Sequence, residues 1–548
     1  MRCHVTKVTK DGTFLVERKR EKRYNKNIKT RETKEVSKMK KGSKRFLSGM
    51  AAAMMVMSLL AGCGSSNAAQ DTSSKSGSSE TAASSDKGTT DVPVVNMCVP
   101  NIYDTTDLQM VEDAINEITA EKYGVKIKLT FVEFGNWTNQ SNMLLTGDEA
   151  DLIMIYGTPL LTYVKNGQLA NMDDYYNNAS EEFKTAAAEV FTDKDLKCTS
   201  VNGHIYALPN YRNHGDVIVL DIDRAIADEM GVKGGEQMSL DQVDELLGKI
   251  HEAYPDRYAI VPQGNTTMSN GGWTWDGLGD IKMIGVMEAG GDTTIKNLLE
   301  TEDFIDLTKH THSWYTNGYM MPDCLSNTET GDSMILNKKA VTCFNNGAYF
   351  DETDYIKEDL VRVPLTPAKA DTTTISGMCW GISANSKNKD ASWKMLEVLY
   401  SDADVVTLLT DGIKDRNYVV DADGNAVYPD GKDYTNNGYG AMQQWWLYPN
   451  SSLTPEQPTN GLTESLKKFN ESVQQTPAYG FCFDTTEVTD EYSACCNVMD
   501  KYYSALMLGA VDPDEYLAKA TEELKAAGMD KVIEAKQKQF DAWHAENK

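Results

Sequence analysis

Aromatic rings and hydrogen-bonding side chains follow several predicted strands of this chain. An aromatic ring stacks on an apolar ligand face, while amides, carboxylates and guanidinium groups bind polar groups of the same ligand. In open α/β sheets, ligands bind beyond the carboxyl ends of the strands. The pattern predicts a binding site for a polar ligand, with the candidate residues Tyr103, Asp104, Trp137, Tyr156, Asn210, Tyr211, Arg212, Trp273, Trp275 and Trp380.

Packing inside the protein is the alternative interpretation for these rings. It stays open for Trp137, Tyr156, Trp273, Trp275 and Trp380. The adjacent Trp445 and Trp446 favour packing, because at least one ring of such a pair commonly lies inside. Arg212 could hold a carboxylate with two hydrogen bonds, or form a salt bridge between two parts of the fold.

The elements that must position these residues alternate between strand and helix. Residues 92–99, 125–133 and 151–156 read as strands. Residues 106–123 and 137–146 between them have helical patterns. This βαβαβ order predicts parallel strands joined by right-handed crossovers.

Further elements follow the first three strands. An Asn-Gly pair predicts a short hairpin within residues 201–209. Apolar runs predict strands at 215–222, 340–344 and 376–384, and helical patterns occupy 390–400, 491–508 and 512–543. About 450 residues beyond the N-terminal region are too many for one core, so two domains are expected.

The N-terminal region resembles a lipoprotein signal sequence. Basic residues precede the apolar run 46–60, and Leu60-Ala61-Gly62-Cys63 resembles the lipobox, whose cysteine is acylated after cleavage. The run is short for a transmembrane helix, which needs about 20 apolar residues. We therefore expect a signal peptide at 39–62, lipidation at Cys63 and a flexible linker at 63–91. Residues 1–38 are either a basic extension or precede a true start at Met39.

The charge of the chain excludes one class of partner. Without residues 1–62 the chain has 37 Lys and Arg against 76 Asp and Glu, a net charge near −39. Nucleic-acid binding needs clustered cations, so it is not expected. The composition fits a soluble body outside the cell but does not identify a ligand.

Metal and catalytic motifs give weak signals. The eight cysteines after Cys63 show no C-x-x-C spacing, and their disulfide pairing stays open. His310-Thr311-His312 has a spacing seen in metal sites, but no nearby ligand completes it. The segment 421–425 resembles part of a calcium loop but fits a hairpin turn better. No G-x-S-x-G, H-E-x-x-H or P-loop motif occurs, and neither a cofactor nor a metal is expected.

Seven segments carry a resemblance to a known family. In chain order they are G-D-E-A-D-L-I-M (147–154), N-G-Q-L-A-N-M-D-D (166–174), V-N-G-H-I-Y-A-L-P-N (201–210), K-A-V-T-C-F-N-N-G-A-Y (339–349), S-G-M-C-W-G-I-S-A-N-S-K-N (376–388), G-F-C-F-D-T (480–485) and V-D-P-D-E-Y (511–516). Their ordered set resembles the extracellular solute-binding proteins of family 1, the substrate-binding lipoproteins of ABC transporters. Within that family it resembles the LipO-like branch, which has a C-terminal domain of unknown function.

The resemblance implies an α/β architecture, the two-lobe periplasmic-binding-protein type II fold. Mixed sheets are flanked by helices, and the ligand cleft lies between the lobes. Related sugar-binding proteins place a cleft aromatic in the segment of Asn345 and Tyr349, so the resemblance adds these two residues to the candidate ligand-binding set. The expected first lobe comprises residues 92–210 plus 366–410. The expected second lobe comprises 213–363 plus 413–548, including C-terminal helices that brace both lobes.

The function implied by the resemblance is solute capture for import. The protein would be a lipid-anchored, monomeric component at the extracytoplasmic face of the cell membrane. It would close around a small polar solute, an oligosaccharide in preference to a peptide, and deliver it to membrane permease subunits. The alternatives are a peptide-binding importer component, an extracellular carbohydrate-active enzyme, and an adhesin or sensor without a transport role.

Overall fold

The computed structural model describes residues 92–101, 103–263, 273–347, 359–456 and 462–547, which lie in one compact unit, Thr89–Lys548. The predicted signal peptide, Cys63, the linker and Tyr349 lie outside the described residues. None of the described helices is long and apolar enough to cross a membrane.

The strands of the two main sheets are β1 (Val94–Asn101), β2 (Lys126–Glu133), β3 (Leu152–Ile155), β4 (Leu208–Pro209), β5 (Val217–Asp223), β6 (Tyr258–Val261), β7 (Ala340–Gly347), β8 (Leu360–Pro364) and β9 (Cys379–Ile382). The described α-helices are α1 (Leu108–Tyr123), α2 (Trp137–Thr146), α3 (Leu160–Lys165), α4 (Asp173–Asn177), α5 (Glu181–Ala187), α6 (Asp193–Cys198), α7 (Arg224–Met230), α8 (Leu240–Ala253), α9 (Glu302–Thr316), α10 (Gly331–Leu336), α11 (Thr372–Ser376), α12 (Lys389–Ser401), α13 (Ala403–Asp411), α14 (Leu462–Ser472), α15 (Thr489–Met507), α16 (Pro513–Ala527) and α17 (Met529–Glu546).

The first sheet has five strands in the order β2-β1-β3-β9-β4. Strand β1 pairs in parallel with β2 and β3, and helices α1 and α2 lie in the connections. The predicted βαβαβ start is therefore confirmed. Strand β9 runs antiparallel to both β3 and β4, so β4 has the same direction as β3.

The second sheet has four strands in the order β8-β5-β7-β6. Strand β5 is antiparallel to both of its neighbours, and β7 is parallel to β6. All seven residues of β5 are buried, because the strand is central and both of its faces are covered. The predicted strands at 215–222 and 340–344 are confirmed, with boundary shifts of a few residues.

Two short hairpins also match their predictions. Ser200–Val201 pairs with His204–Ile205, and the intervening Asn202 and Gly203 both have positive φ, at 52° and 79°. Such a turn is strongly favoured by Asn-Gly. In the second hairpin, Val419–Val420 pairs with Ala426–Val427. There Asp421 Oδ1 accepts hydrogen bonds from the amides of Asp423 and Asn425, as in a turn.

Each main sheet lies in its own hydrophobic core. The first core runs from Val95 to Leu208 and resumes from Cys379 to Tyr448. The second runs from Ile218 to Leu365 and resumes from Ala478 to Phe540. The protein is therefore a two-lobe α/β structure, and the chain crosses between the lobes near 210–216 and again near 365–370.

The structure differs from the predicted boundary of the second lobe. Residues 439–448 pack in the first core, although 413–548 was assigned to the second lobe. The cause is a 3₁₀ helix, Gly440–Leu447, that lies against the first sheet. The side chain of Gln444 donates a hydrogen bond to the carbonyl of Pro100 over 2.9 Å. The third crossing therefore lies beyond Asn450 rather than near residues 410–412.

The C-terminal helices α15 to α17 pack against the second core, and the segment that precedes them contacts the first lobe. Lys165 Nζ in α3 lies 2.6 Å from Asp484 Oδ1. The Tyr479 hydroxyl donates a hydrogen bond to the buried carboxylate of Asp195 in α6. Thus the segment before α15 contacts both lobes.

Candidate ligand-binding cleft

One edge of the first sheet faces the second lobe. Strands β1, β2, β3 and β4 share a direction, so their carboxyl ends meet at the same edge. Strand β4 continues through residues 210–216 into β5 of the second lobe. Side chains that follow these four strands are therefore placed at the opening between the lobes.

Three aromatic rings meet at this edge. Phe134 follows β2, Tyr156 follows β3, and Trp446 comes from the 3₁₀ helix. The ring centroid of Phe134 lies 5.0 Å from that of Tyr156 and 6.3 Å from that of Trp446. All three side chains are half-buried, so part of each ring remains accessible. We call these three residues the aromatic cluster.

Two aromatic pairs contribute further rings at this edge. Tyr103 follows β1 and packs edge-to-face on the exposed Tyr434, with centroids 5.3 Å apart. Tyr211 follows β4 and lies 6.3 Å from Trp445. The aromatic cluster and the two pairs together form the aromatic strip, whose rings lie beyond the ends of four strands.

Predicted polar residues support the loops that carry the strip. Asp104 accepts hydrogen bonds from the amides of Thr106 (3.1 Å) and Gly438 (2.9 Å). Asn210 donates a hydrogen bond from its side chain to the carbonyl of Trp446. Both side chains therefore hold backbone around the aromatic strip, and their predicted contact with ligand remains a proposal.

Arg212 is buried beneath this edge. Its Nη1 donates a hydrogen bond to the carbonyl of Thr374 over 2.9 Å. Burial raises the pKa of Tyr156, and the positive charge of Arg212 acts in the opposite direction. Burial also raises the pKa of Asp216, again against the effect of Arg212. Arg212 thus joins the first crossing to α11 and lies near Tyr156.

Four predicted tryptophans lie in the cores instead. Trp137 and Trp380 are fully buried in the first core, and Trp275 is almost fully buried in the second. Trp273 is 9% exposed in the second core. The Trp380 indole donates to the carbonyl of Leu447 over 2.8 Å. These four rings pack inside the protein, as the alternative interpretation expects, and they offer no accessible face for stacking in this structure.

Two cavities adjoin the aromatic edge. The smaller, of about 80 Å³, has walls from both lobes, including Thr158 and Gly377 on one side and Gly279 and Cys482 on the other. A groove of about 590 Å³ has Tyr211 in its lining, together with Asn450, Asn470, Gln475 and Tyr479. The groove has the volume and the mixture of rings and amides of a small-molecule site.

Asn345 belongs to a buried polar network in the second lobe. Its Nδ2 donates hydrogen bonds to Asp221 Oδ2 and Asp332 Oδ2, each over 3.0 Å. Arg362 donates two hydrogen bonds to the fully buried Asp221, over 2.7 and 2.8 Å. Burial, with a contribution from the charge of Asp221, raises the pKa of Asp332 to about 6. The network holds β5, β7, β8 and α10 together.

The raised pKa of Asp332 predicts a pH-dependent stability difference. Its native pKa is about 6 against an ordinary 3.8, so the native state keeps a proton that the unfolded chain releases. The protonated Asp332 therefore stabilises the native state below about pH 4, and this stabilisation is lost as the pH rises through about 6. Asparagine carries no titratable carboxyl, so only the unsubstituted protein loses this stabilisation. The melting temperature of Asp332→Asn minus that of the unsubstituted protein should therefore increase from pH 4 to pH 7.

The control for this experiment is Asp323→Asn, which removes an exposed carboxylate from the same lobe. Its melting temperature relative to the unsubstituted protein should change little across the same pH range. A parallel response of the two variants would contradict the assignment to Asp332.

The site includes rings that sequence reasoning missed or ranked low. Phe134 was missed, although it directly follows β2, the signal that identified Tyr156 after β3. The sequence favours packing over ligand binding for the pair Trp445 and Trp446, and it gives no signal for Tyr434. No local signal distinguishes Trp446 from Trp445, because a tertiary contact with Phe134 decides which ring joins the cluster.

A two-lobe α/β fold with aromatic rings at the edge between its lobes is typical of a solute-binding protein. The model of the bacterial extracellular solute-binding protein family matches residues 113–419, more than half of the chain. The chain belongs to this family, which confirms the resemblance seen in the sequence. Residues 477–545 match a second family model, a domain of unknown function (DUF3502), as expected for the C-terminal part.

Similar proteins come from Streptococcus pneumoniae. A carbohydrate ABC transporter substrate-binding protein of serotype 4 strain ATCC BAA-334 / TIGR4 is 26% identical over 446 residues, 78% of this chain and 86% of that protein. The crystal structure of the N-glycan transport solute binding protein NgtS superposes with a TM-score of 0.71 at 23% identity, covering 83% of this chain and 100% of NgtS.

A second crystal structure of NgtS is a complex with Man1GlcNAc. It superposes with a TM-score of 0.70 at 22% identity and covers 83% of this chain and 100% of that one. Both superpositions show that this chain has the two-lobe fold of solute-binding proteins.

Proposed function

We propose that this protein is the substrate-binding component of an ABC importer and that its ligand is an oligosaccharide. The observation that carries the proposal is the aromatic strip. Its rings lie beyond β1 to β4, where a chain of several sugar units could stack on successive rings. The carbohydrate specificity named for the pneumococcal relative supports the same ligand class.

The mechanism follows from the two lobes. An oligosaccharide bound to the aromatic strip would contact the first lobe before the second. Contacts with the second lobe would then stabilise the closed arrangement, a population shift between open and closed states. The closed protein would deliver its ligand, chemically unchanged, to membrane permease subunits.

The location that fits this function is the extracytoplasmic face of the membrane. The family is extracellular, and Cys63 follows a sequence that resembles a lipobox. Acylation of Cys63 would hold the protein at the membrane, while residues 63–91 would serve as a flexible tether. We propose that the protein acts there as a monomer.

Ligand binding can be tested with protein produced from residue 64 onward, which lacks the acylated cysteine. A ligand that binds only the folded state adds about 2.7 kcal/mol to stability at a concentration 100 times its Kd. We expect a dose-dependent rise in melting temperature with one class of oligosaccharide, either mannose–GlcNAc or glucose oligosaccharides, and no rise with short peptides. Quenching or enhancement of tryptophan fluorescence should follow the same dose dependence.

The outcomes separate the alternatives. A rise in melting temperature with one class of oligosaccharide supports the proposal, provided that chromatography shows the sugar to be intact after incubation with the protein. A rise with peptides alone would retain the importer role and reject the sugar ligand. Hydrolysis of any oligosaccharide would favour an extracellular enzyme instead.

A further inference from the structure

His310 in α9 is surrounded by three aspartates from two helices. Asp241 and Asp244 lie in α8, and Asp306 lies one turn before His310 in α9. Ligand atoms of His310, Asp241 and Asp244 all lie within 4.8 Å of one another. Asp306 lies four residues before His310 in the sequence and was overlooked there. Asp241 and Asp244 could not be recognised from the sequence, because α8 and α9 are separated by nearly 50 residues.

One nitrogen of the imidazole is fixed by Asp244. His310 Nδ1 lies 2.9 Å from Asp244 Oδ2, and the other oxygen of Asp244 accepts a hydrogen bond from the buried indole of Trp314. His310 itself is only 14% exposed. Metal-binding histidines are commonly oriented in this way, with the second ring nitrogen donating to a carboxylate. The contact leaves Nε2 as the nitrogen that is directed to Asp241 and Asp306.

The separations around Nε2 suit a bound cation. Nε2 lies 3.7 Å from Asp306 Oδ2 and 4.0 Å from Asp241 Oδ1, both too far for a hydrogen bond. Two ligands of one tetrahedral Zn²⁺ stand about 3.4 Å apart, since each lies about 2.0–2.2 Å from the ion. Asp241 and Asp306 are 91% and 66% exposed, so a rotamer change of each side chain can bring both carboxylates to one ion beside Nε2.

We propose that His310 Nε2, Asp241 and Asp306 bind a divalent transition metal ion of the Zn²⁺ class. Asp244 is the positioning residue, because it orients the imidazole. Imidazole with carboxylates selects Zn²⁺ and its neighbours, whereas Ca²⁺ and Mg²⁺ prefer oxygen ligands alone. The ion ties α8 to α9 within the second lobe and is independent of the ligand at the aromatic strip.

The second histidine of the His-x-His spacing does not share this site. His312 Nδ1 lies 2.9 Å from the carbonyl oxygen of Gly509, to which it can donate a hydrogen bond. This contact directs His312 to the segment between α15 and α16. The proposed partners of His310 are therefore carboxylates and not the second histidine.

The experiment measures Zn²⁺ binding by isothermal titration calorimetry, using untagged protein from residue 64 onward. We expect one Zn²⁺ per chain at this site and a rise in melting temperature that EDTA reverses. His310→Ala and Asp306→Asn should each weaken the binding at least tenfold. His204→Ala is the matched control, because His204 Nδ1 lies 2.6 Å from Asp173 in an exposed pair with a single aspartate.

Each outcome bears on the proposal. Loss of the stoichiometric Zn²⁺ in His310→Ala and Asp306→Asn, with full retention in His204→Ala, supports it. Absence of binding in the unsubstituted protein would overturn it. Equal binding in His310→Ala, or equal losses in His310→Ala and His204→Ala, would overturn it as well. Circular dichroism of metal-free His310→Ala establishes that the variant is folded before its titration is interpreted.

Discussion

Replacing Trp446 with alanine is expected to weaken oligosaccharide binding by about 30-fold. Aromatic residues at the centre of a binding surface commonly contribute about 2 kcal/mol or more, and about 1.4 kcal/mol corresponds to a tenfold change in Kd. Trp446 is half-buried, and its ring lies 6.3 Å from that of Phe134. Because Phe134 also contacts Tyr156, removal of Trp446 would leave only two rings of the aromatic cluster. Titration of the tryptophan fluorescence or calorimetry gives the Kd of both proteins.

The matched control is Trp543→Ala, which removes a half-buried tryptophan from α17 in the second lobe. Trp543 packs on Phe481 and Phe540, away from the aromatic strip. This variant should retain the Kd of the unsubstituted protein even if its melting temperature falls. Unchanged affinity in a folded Trp446→Ala protein would show that the ligand does not use the aromatic cluster. Trp446→Phe keeps a smaller ring and should give an intermediate Kd.

The strands of the first sheet were predictable because their signals are local. Short apolar runs at 92–99, 125–133 and 151–156 alternate with amphipathic helices, and the structure has β1, β2 and β3 at these places. The Asn-Gly turn was equally predictable from the sequence, since Asn202 and Gly203 adopt the positive φ angles that these residues tolerate. Local backbone preference and hydrophobic periodicity decide both features.

The predicted site was less accurate because ring orientation depends on tertiary contacts. Phe134 and Trp137 lie three residues apart after β2, yet Phe134 is half-buried at the edge and Trp137 is fully buried. The start of α2 at Trp137 turns that ring into the first core. A sequence identifies the loop, but the helix that follows it determines which ring remains accessible.

Distant contacts also account for the misplaced lobe boundary and for the His310 cluster. The segment 439–448 packs in the first core through contacts such as Gln444 with Pro100, more than 300 positions away. His310 meets Asp244 across 66 positions. No spacing rule along the chain encodes either contact, since each depends on how complete elements pack together.

Replacing Lys536 with methionine is expected to lower the free energy of unfolding by about 3–5 kcal/mol. Lys536 in α17 is completely buried, and its Nζ donates hydrogen bonds to the carbonyls of Gly277 (3.0 Å), Ile284 (2.8 Å) and Gly285 (2.8 Å). Its Nζ also lies 3.3 Å from Asp280 Oδ2. Methionine fills a similar volume but leaves Asp280 and three carbonyls without their cationic partner. Urea unfolding followed by circular dichroism measures the change.

The control is Lys538→Met, two residues further along α17 at an exposed position. Its free energy of unfolding should stay within about 0.5 kcal/mol of the unsubstituted value. Equal stability of the two variants would contradict the role of the buried ammonium group. The segment 277–285 that Lys536 holds also contributes Gly279 and Ile281 to the cavity between the lobes. A loss confined to Lys536→Met would therefore show that α17 stabilises the second lobe through its contacts with the segment 277–285.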